Sequence, residues 1–335
     1  MKGKEQLSTS GTITTYEEAK ADATDFLDKE SYEEDRKQIK NEIVWFNVIL
    51  FTFLHIAALY GVYLLMFTAK WETVAFAVFL YYIGGMLGIT AGAHRLWAHR
   101  SYKAKLPLRI MLMIANCVAW QNDIYEWARD HRVHHKFAES NADPHNSTRG
   151  LFFSHVGWLL TKKHPDVIAK GKKLDYSDLL ADPVVRFQKQ YYKPLAIFFC
   201  FILPTVIPPI CWDESYWVAY FGPAIARLVF TLNVTWMVNS FAHMWGNKPY
   251  DKYIAPAENK LVAILAMGEG WHNFHHTFPQ DYRTAELGGK RTNLTTLFID
   301  FFSFFGQVYD KKTVSDENVL KRSKRTGDGS EVLVK

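Results

Sequence analysis

Apolar residues are gathered into long blocks along this chain, with the charged residues between them. From Ile43 to Thr68 roughly 25 residues pass without a charge, enough for a helix to cross a hydrocarbon layer of about 30 Å. A short interruption, Ala69-Lys70-Trp71, precedes a second apolar run from about Thr73 to Ala93, so the first two spans form a tight hairpin. A third block, Leu195 to Cys211, contains Pro204, Pro208 and Pro209, whose missing backbone donors neighbouring helices or water must make good. The fourth runs from about Tyr216 to Val238 with Arg227 as its one charge. Leu106 to Trp120 is apolar but short and carries Arg109, which suits a helix lying at the interface or packed on the bundle. The fold class expected is an all-α integral membrane protein, with four transmembrane helices in two hairpins and a cytosolic helical cap. Residues 41–311 form the folded domain, with spans near 43–68, 73–93, 195–211 and 216–238 and a cap made of 94–193 and 239–311. The polar stretches 1–40 and 312–335 could not bury a core and are expected to be mobile tails.

Charge sets the orientation. Residues 94–193 carry seventeen Lys and Arg, whereas the two hairpin turns together carry one, Lys70, which puts the cap and both termini in the cytosol. The polar start lacks the short basic and apolar signature of a cleaved signal peptide. A formal net charge of +5, without a dense basic run interleaved with aromatics, argues against nucleic acid and for a surface that faces membrane or phosphate. Cys117, Cys200 and Cys211 have no metal-ligand spacing and imply no disulfide framework. Asn146-Ser147-Thr148 is a glycosylation sequon that cytosolic placement leaves unmodified.

Candidate chemistry lies in the histidines. Of thirteen, nine fall in three boxes and one outlier: His94 and His99; His131, His134 and His135; His272, His275 and His276; and His243. The second and third boxes have i, i+3, i+4 spacing, which places three imidazoles on one helical face. His94 and His99 are five apart, about 140° around an α-helix, so that pair needs an unwound or terminal turn to converge. All nine follow the cytosolic ends of spans, as does Asn239, one turn before His243. Nine imidazoles exceed what one ion can hold, and imidazole without cysteine suits iron or copper with open positions better than closed structural zinc. Two adjacent metals is the economical reading. His55 reads as a packed intramembrane residue. His145, His155 and His164 suit surface or supporting roles, and Asp123, Glu126, Asp143 and Glu269 are candidates to orient imidazoles through their second N–H.

In GITAGAHRLWAHRSYKA, WARDHRVHHKFAESNADPHNS, FFSHVGWLL, NSFAHMWG and GEGWHNFHHTFPQDYR the chain resembles the membrane fatty acyl-CoA desaturases of the stearoyl-CoA Δ9 type, insect members above all. The resemblance spans roughly residues 40 to 310. It implies a di-iron centre in the cap, held by the nine histidines and, through a water, by Asn239. His94, His99, His131, His135 and His275 would hold one metal, and His134, His243, His272 and His276 the other. It implies acyl-CoA contacts at Asn47, Asn122, Arg129, Asp130, Lys162, Lys163 and Trp236. A lysine at 162 where relatives carry arginine would lose bidentate phosphate geometry. An acyl tunnel would be bent by Gln121, Trp127 and Thr235 and closed by Tyr82 and Met86, the last replacing a small residue and so favouring 16-carbon over 18-carbon chains.

The activity so implied is O2-dependent insertion of a cis double bond, Δ9 by family default, into a saturated acyl-CoA at the endoplasmic reticulum membrane. Electrons would come from cytochrome b5 and its NADH-dependent reductase. No amino-acid side chain removes hydrogen from an unactivated methylene, which is why metals are needed. A hydroxylase or alkane monooxygenase with a similar histidine set is the nearest alternative reading. A metal transporter is the alternative from another class, disfavoured because the histidines lie beyond the spans.

Overall fold

The computed structural model describes residues 42–285 and 293–332. The N-terminal stretch expected as a tail therefore lies outside the described residues. Four helices among the described residues are long and apolar enough to cross a membrane: α1 (Trp45–Phe67), α2 (Trp71–Ala98), α5 (Pro183–Trp212) and α6 (Tyr216–Met244). Between α2 and α5 lie α3 (Leu106–Ala119) and α4 (Ile124–Phe137). After α6 come α7 (His272–Thr277), α8 (Leu294–Phe304) and α9 (Asp316–Thr326). One two-stranded antiparallel ribbon, Lys103–Ala104 against Val308–Tyr309, ties the start of the cap to its end.

On α1, Phe46, Ile49, Phe53 and Ile56 form an exposed stripe at helical spacing, while Leu54, Ala57, Ala58, Gly61 and Leu64 are buried. A helix with its apolar side chains turned outward is suited to lipid rather than water. The loops between spans meet at one end of the bundle. The Glu214 carboxylate accepts from Lys70 N at 2.9 Å and Thr73 Oγ1 at 2.7 Å, and Lys70 Nζ donates to the Trp212 and Asp213 carbonyls. The histidine-bearing elements are reached from the other ends of the helices.

Four boundaries differ from the sequence expectation, the first being the second span, which ends not at Ala93 but at Ala98 and so carries His94 within the helix. The third span starts not at Leu195 but at Pro183, because the amphipathic stretch Pro183–Ala196 continues the helix, with a kink at Tyr191. The fourth extends to Met244 and carries His243 on its last turn, past a break at Ser240. In place of a mobile tail after residue 311, Ser315 caps α9 and one residue, Val319, is buried against Tyr250, Phe274 and Phe278. Arg322 pairs with Asp251 and Thr326 Oγ1 donates to the Tyr250 carbonyl at 2.7 Å. This docking relies on one apolar contact and several polar ones, so composition did not signal it.

Leu106–Ala119 packs on the bundle rather than standing apart, with Leu108, Leu112 and Asn116 buried and Gly88 of α2 pressed on the backbone of Ala115. α1 and α6 approach equally closely, since a Cβ at Gly61 would lie 2.0 Å from the Phe221 carbonyl oxygen. Alanine ordinarily stabilises a helix by about 1 kcal/mol over glycine. Here overpacking reverses the sign, so Gly61→Ala is expected to destabilise by about 1–3 kcal/mol, read as a lower thermal midpoint of the detergent-solubilised protein.

Candidate metal centre and cavity

The first histidine box converges by a change of winding. Leu80–Ala98 is π-helical, and His99 N donates to the His94 carbonyl at 3.0 Å, an i to i+5 bond. Residues five apart then share a face, which supplies the unwound turn that the pair required. α4 starts at Asp123, whose side chain accepts from Glu126 N at 2.9 Å. α7 is only six residues long and is held by Asn273, which accepts from Tyr250 N and Asp251 N and donates to the Asp251 and Pro256 carbonyls.

These elements bring His94, His99, His131, His135 and His275 into one group and His134, His243, His272 and His276 into a second, with ligand atoms in each within 4.8 Å of one another. The Nε2 atoms face inward: His94 to His275 3.0 Å, His99 to His131 2.8 Å, and His275 to His135 2.9 Å. In the second group His243 to His272 is 3.0 Å, His276 to His272 3.1 Å and His134 to His276 3.3 Å. Ring nitrogens bound about 2.1 Å from one first-row ion sit roughly 3 Å from each other. Converging lone pairs at that spacing fit an ion better than they fit hydrogen bonds, because a neutral ring offers at most one N–H.

Protonation agrees with ligation. Burial, reinforced by the neighbouring rings, holds His99, His131, His135, His272, His275 and His276 well below the usual histidine range, hence neutral. At His134 burial pulls the same way, but the Asp143 carboxylate 2.9 Å from Nδ1 outweighs it and shifts the ring upward. Glu269 likewise takes the second nitrogen of His94 at 2.9 Å. Arg95 fixes that carboxylate with two N–H groups, at 3.0 and 2.8 Å.

Of the four acids expected to orient imidazoles, Asp143 and Glu269 do so. Asp123 caps α4 instead, and Glu126 accepts from Arg129 at 3.1 Å. Sequence reasoning missed Glu139, whose Oε1 lies 2.9 Å from His243 Nδ1 across a separation of 104 residues. His145 is buried against His134, their ring centroids 4.4 Å apart. His55 packs as expected, its Nδ1 bonded to the Phe51 carbonyl, and it joins His155 through Asn233. His164 caps a short helix. The sequon residue Asn146 is buried and bonded to Ser140 and Thr148.

A cavity of about 760 Å³ leads from the surface toward the first cluster. Asn47, Asn122, Asp130, Trp236, Gln121, Trp127, Thr235, Asn239 and His131 line it. Gln121 Nε2 donates to Thr235 Oγ1 at 2.9 Å, and Trp127 stacks on His131 with centroids 4.9 Å apart. Beyond them a constriction of about 40 Å³ shares Trp127, His131, Thr235 and Asn239 and reaches Met86, which is 1% exposed.

Several expected contacts lie elsewhere. Tyr82 is 37% exposed and lines neither space. Arg129 and Lys163 both pair with Asp130, and neither they nor Lys162 is among the described lining residues. Lys189 and Lys193, one helical turn apart on α5, line the cavity and were not anticipated. Their i, i+4 spacing was the available signal, hidden by its place before the expected span.

Apolar helices long enough to span a membrane, with two inward-facing nests of imidazoles that could hold metal beside a deep cavity, define a class of membrane proteins built around a histidine-rich metal site. The fatty acid desaturase family profile matches residues 69–286. The chain is 61% identical over 295 residues to an acyl-CoA Delta-9 desaturase of Acheta domesticus, covering 88% of this chain and 82% of that protein. It is 56% identical over 295 residues to an acyl-CoA Delta(11) desaturase of Trichoplusia ni, with 88% and 84% covered. With an acyl-CoA Delta12-desaturase of Acheta domesticus it shares 57% identity over 289 residues, 86% and 81% of the two chains. The chain belongs to the fatty acid desaturase family and is an oxidoreductase.

Orienting carboxylates typically change metal affinity 10–100-fold. Glu139→Gln is accordingly expected to lower retention in the second cluster by roughly tenfold or more, measured as metal per chain after dialysis against a graded chelator, with the first cluster's ion retained.

Proposed function

We propose that the protein inserts a cis double bond into a saturated fatty acyl-CoA, Δ9 by preference, using O2 and electrons from cytochrome b5 and its NADH-dependent reductase. The observation that carries this reading is the cavity, whose polar mouth and apolar, constricted end run past the first histidine cluster. Two iron ions, held by the nine histidines with Asn239 reaching one through a water, would supply the oxidising power for removing hydrogen from an unactivated methylene.

The chain's own residues bind and position. Asn47, Asn122 and Trp236 line the wider part, where the CoA portion is read to lie, and Lys189 and Lys193 add cations suited to its phosphates. Arg129 and Lys163, both paired with the lining residue Asp130, are further candidates once Asp130 releases them, and Lys162 adjoins Lys163 in sequence. The Gln121–Thr235 hydrogen bond and the Trp127 ring set the bend, which holds one carbon pair beside the histidines and keeps bulk water out. The net change removes two hydrogens from adjacent carbons while O2 takes up those and two electrons with two protons, leaving an alkene and two waters. Relatives named for Δ9, Δ11 and Δ12 positions share more than half their residues with this chain, so bond position rests on fine geometry near the bend. The basic cap and the scarcity of Lys and Arg in the loops support cytosolic termini, and the family resemblance supports an endoplasmic reticulum membrane.

Expressed in desaturase-deficient cells, the chain is expected to yield a new monounsaturated acid that a His135→Ala control lacks, with its double bond located by mass spectrometry. A hydroxylated acid would instead select the monooxygenase reading, and vesicle flux of iron or zinc without any new lipid the transporter reading. Met86, buried at the closed end, supports a 16-carbon preference. Met86→Ala is expected to shift turnover toward 18-carbon substrate, and an unchanged ratio of the two products would remove Met86 as the stop.

A further inference from the structure

Arg227 lies within α6, is 4% exposed and faces no carboxylate among the described residues. A guanidinium in a membrane-spanning bundle is costly unless each of its donors is satisfied. Here each of its three nitrogens has a backbone carbonyl: Pro223 accepts from Nε at 3.0 Å, Val118 from Nη1 at 2.8 Å and Cys200 from Nη2 at 3.2 Å, with Cys200 Sγ a further 3.8 Å acceptor for Nη2. Two of these have a clear reason to be free. Val118 is in the last turn of α3, where helix carbonyls lack partners, and Pro204, four residues after Cys200, has no N–H to offer.

Those contacts lead to the bend by two routes. Through Val118 the arginine holds the end of α3, after which Trp120 and Asn122 take positive φ of 52° and 70° and Gln121 enters the cavity wall. On α6 itself, one turn beyond the guanidinium's anchor, threonine hydroxyls bond the main-chain carbonyls four residues earlier and lead to the same place. Thr231 Oγ1 donates to Arg227 O at 2.8 Å, Thr235 Oγ1 to Thr231 O at 3.1 Å, and Gln121 Nε2 closes the circuit on Thr235 Oγ1. Gln121, in the turn between α3 and α4, thus meets Thr235 of α6 where the end of α3 is held by the Arg227 guanidinium.

We propose that Arg227 is a positioning residue that braces the Gln121–Thr235 bend and thereby narrows which carbon pair is oxidised. The idea rests on reading the cavity as the acyl tunnel. Lysine keeps the charge but cannot reach three carbonyls in a planar fork. In Arg227→Lys, minor positional isomers of the alkene are expected to rise roughly tenfold relative to the main one, with metal per chain unchanged. Glu214→Gln, which loosens the far loops, is expected to lower yield without moving the bond. Amide exchange over residues 118–123 should quicken in Arg227→Lys and stay unchanged in Glu214→Gln.

A single unchanged isomer from Arg227→Lys, at whatever yield, overturns the proposal, as does unaltered exchange over 118–123. Should the wild-type chain make no alkene, the tunnel reading falls, and the exchange measurement alone still decides the brace. If Arg227→Lys does not fold, Arg227→Gln, which keeps donors for only part of the three-carbonyl cluster and carries no charge, is read by the same two measurements.

Discussion

Nine imidazoles face inward within two adjacent groups, and most of what surrounds them exists to make that arrangement bearable. Converging lone pairs repel unless an ion or a shared proton lies between the rings, and burial holds six of the nine rings well below the usual histidine range. The rings are therefore held from behind, by Glu269 with Arg95, by Asp143 and by Glu139. Deep placement of those carboxylates requires further partners. Arg95, 1% exposed, distributes its donors over Glu269, Thr296, Asn293 and the carbonyls of Tyr282 and Arg283. The cap is in this sense a nested support for ligand geometry, and α9 continues it outward by packing Val319 on Phe274 and Phe278 beside α7.

Helix winding is the second device. π-helical turns occur in α2, α5 and α6, and each lies beside something an α-helix would misplace. In α2 the wider turn aligns His94 with His99. In α5 it accompanies Pro204, whose missing N–H leaves the Cys200 carbonyl for Arg227, and in α6 it accompanies Pro223, whose own carbonyl also accepts from Arg227. Irregular backbone inside an apolar bundle is tolerated where protein donors replace the missing bonds. The same departures from ideal helices place the cavity wall.

At the mouth, charges are committed to one another before any ligand arrives. Asp130 draws in Arg129 and Lys163, and Glu126 shares Arg129. Lys189 instead rests over the Tyr125 ring at 4.0 Å, with no carboxylate contact among the described residues. A negatively charged ligand would meet this lysine first and compete with Asp130 for the other two cations, an ordering that follows from Coulomb attraction at a partly solvated surface.

Much of this was legible in the residues alone. Long apolar runs, three without a charge and one with only Arg227, mark the four helices, and the i, i+3, i+4 histidine boxes mark two faces of candidate ligands, because hydrophobic length and helical period are local properties. The resemblance carried the division of the nine histidines, which spacing could not give. Tertiary structure decided what depends on distant partners. The π-helical turn at His94, Glu139 behind His243, the withdrawal of Arg129 and Lys163 to Asp130, and the docking of α9 through Val319 all depend on groups far apart in sequence. Arg227 shows the division in one residue. Its position inside an apolar run flags it as unusual from sequence, but the three carbonyls that explain it belong to α3, α5 and α6, and only packing brings them within reach of one guanidinium.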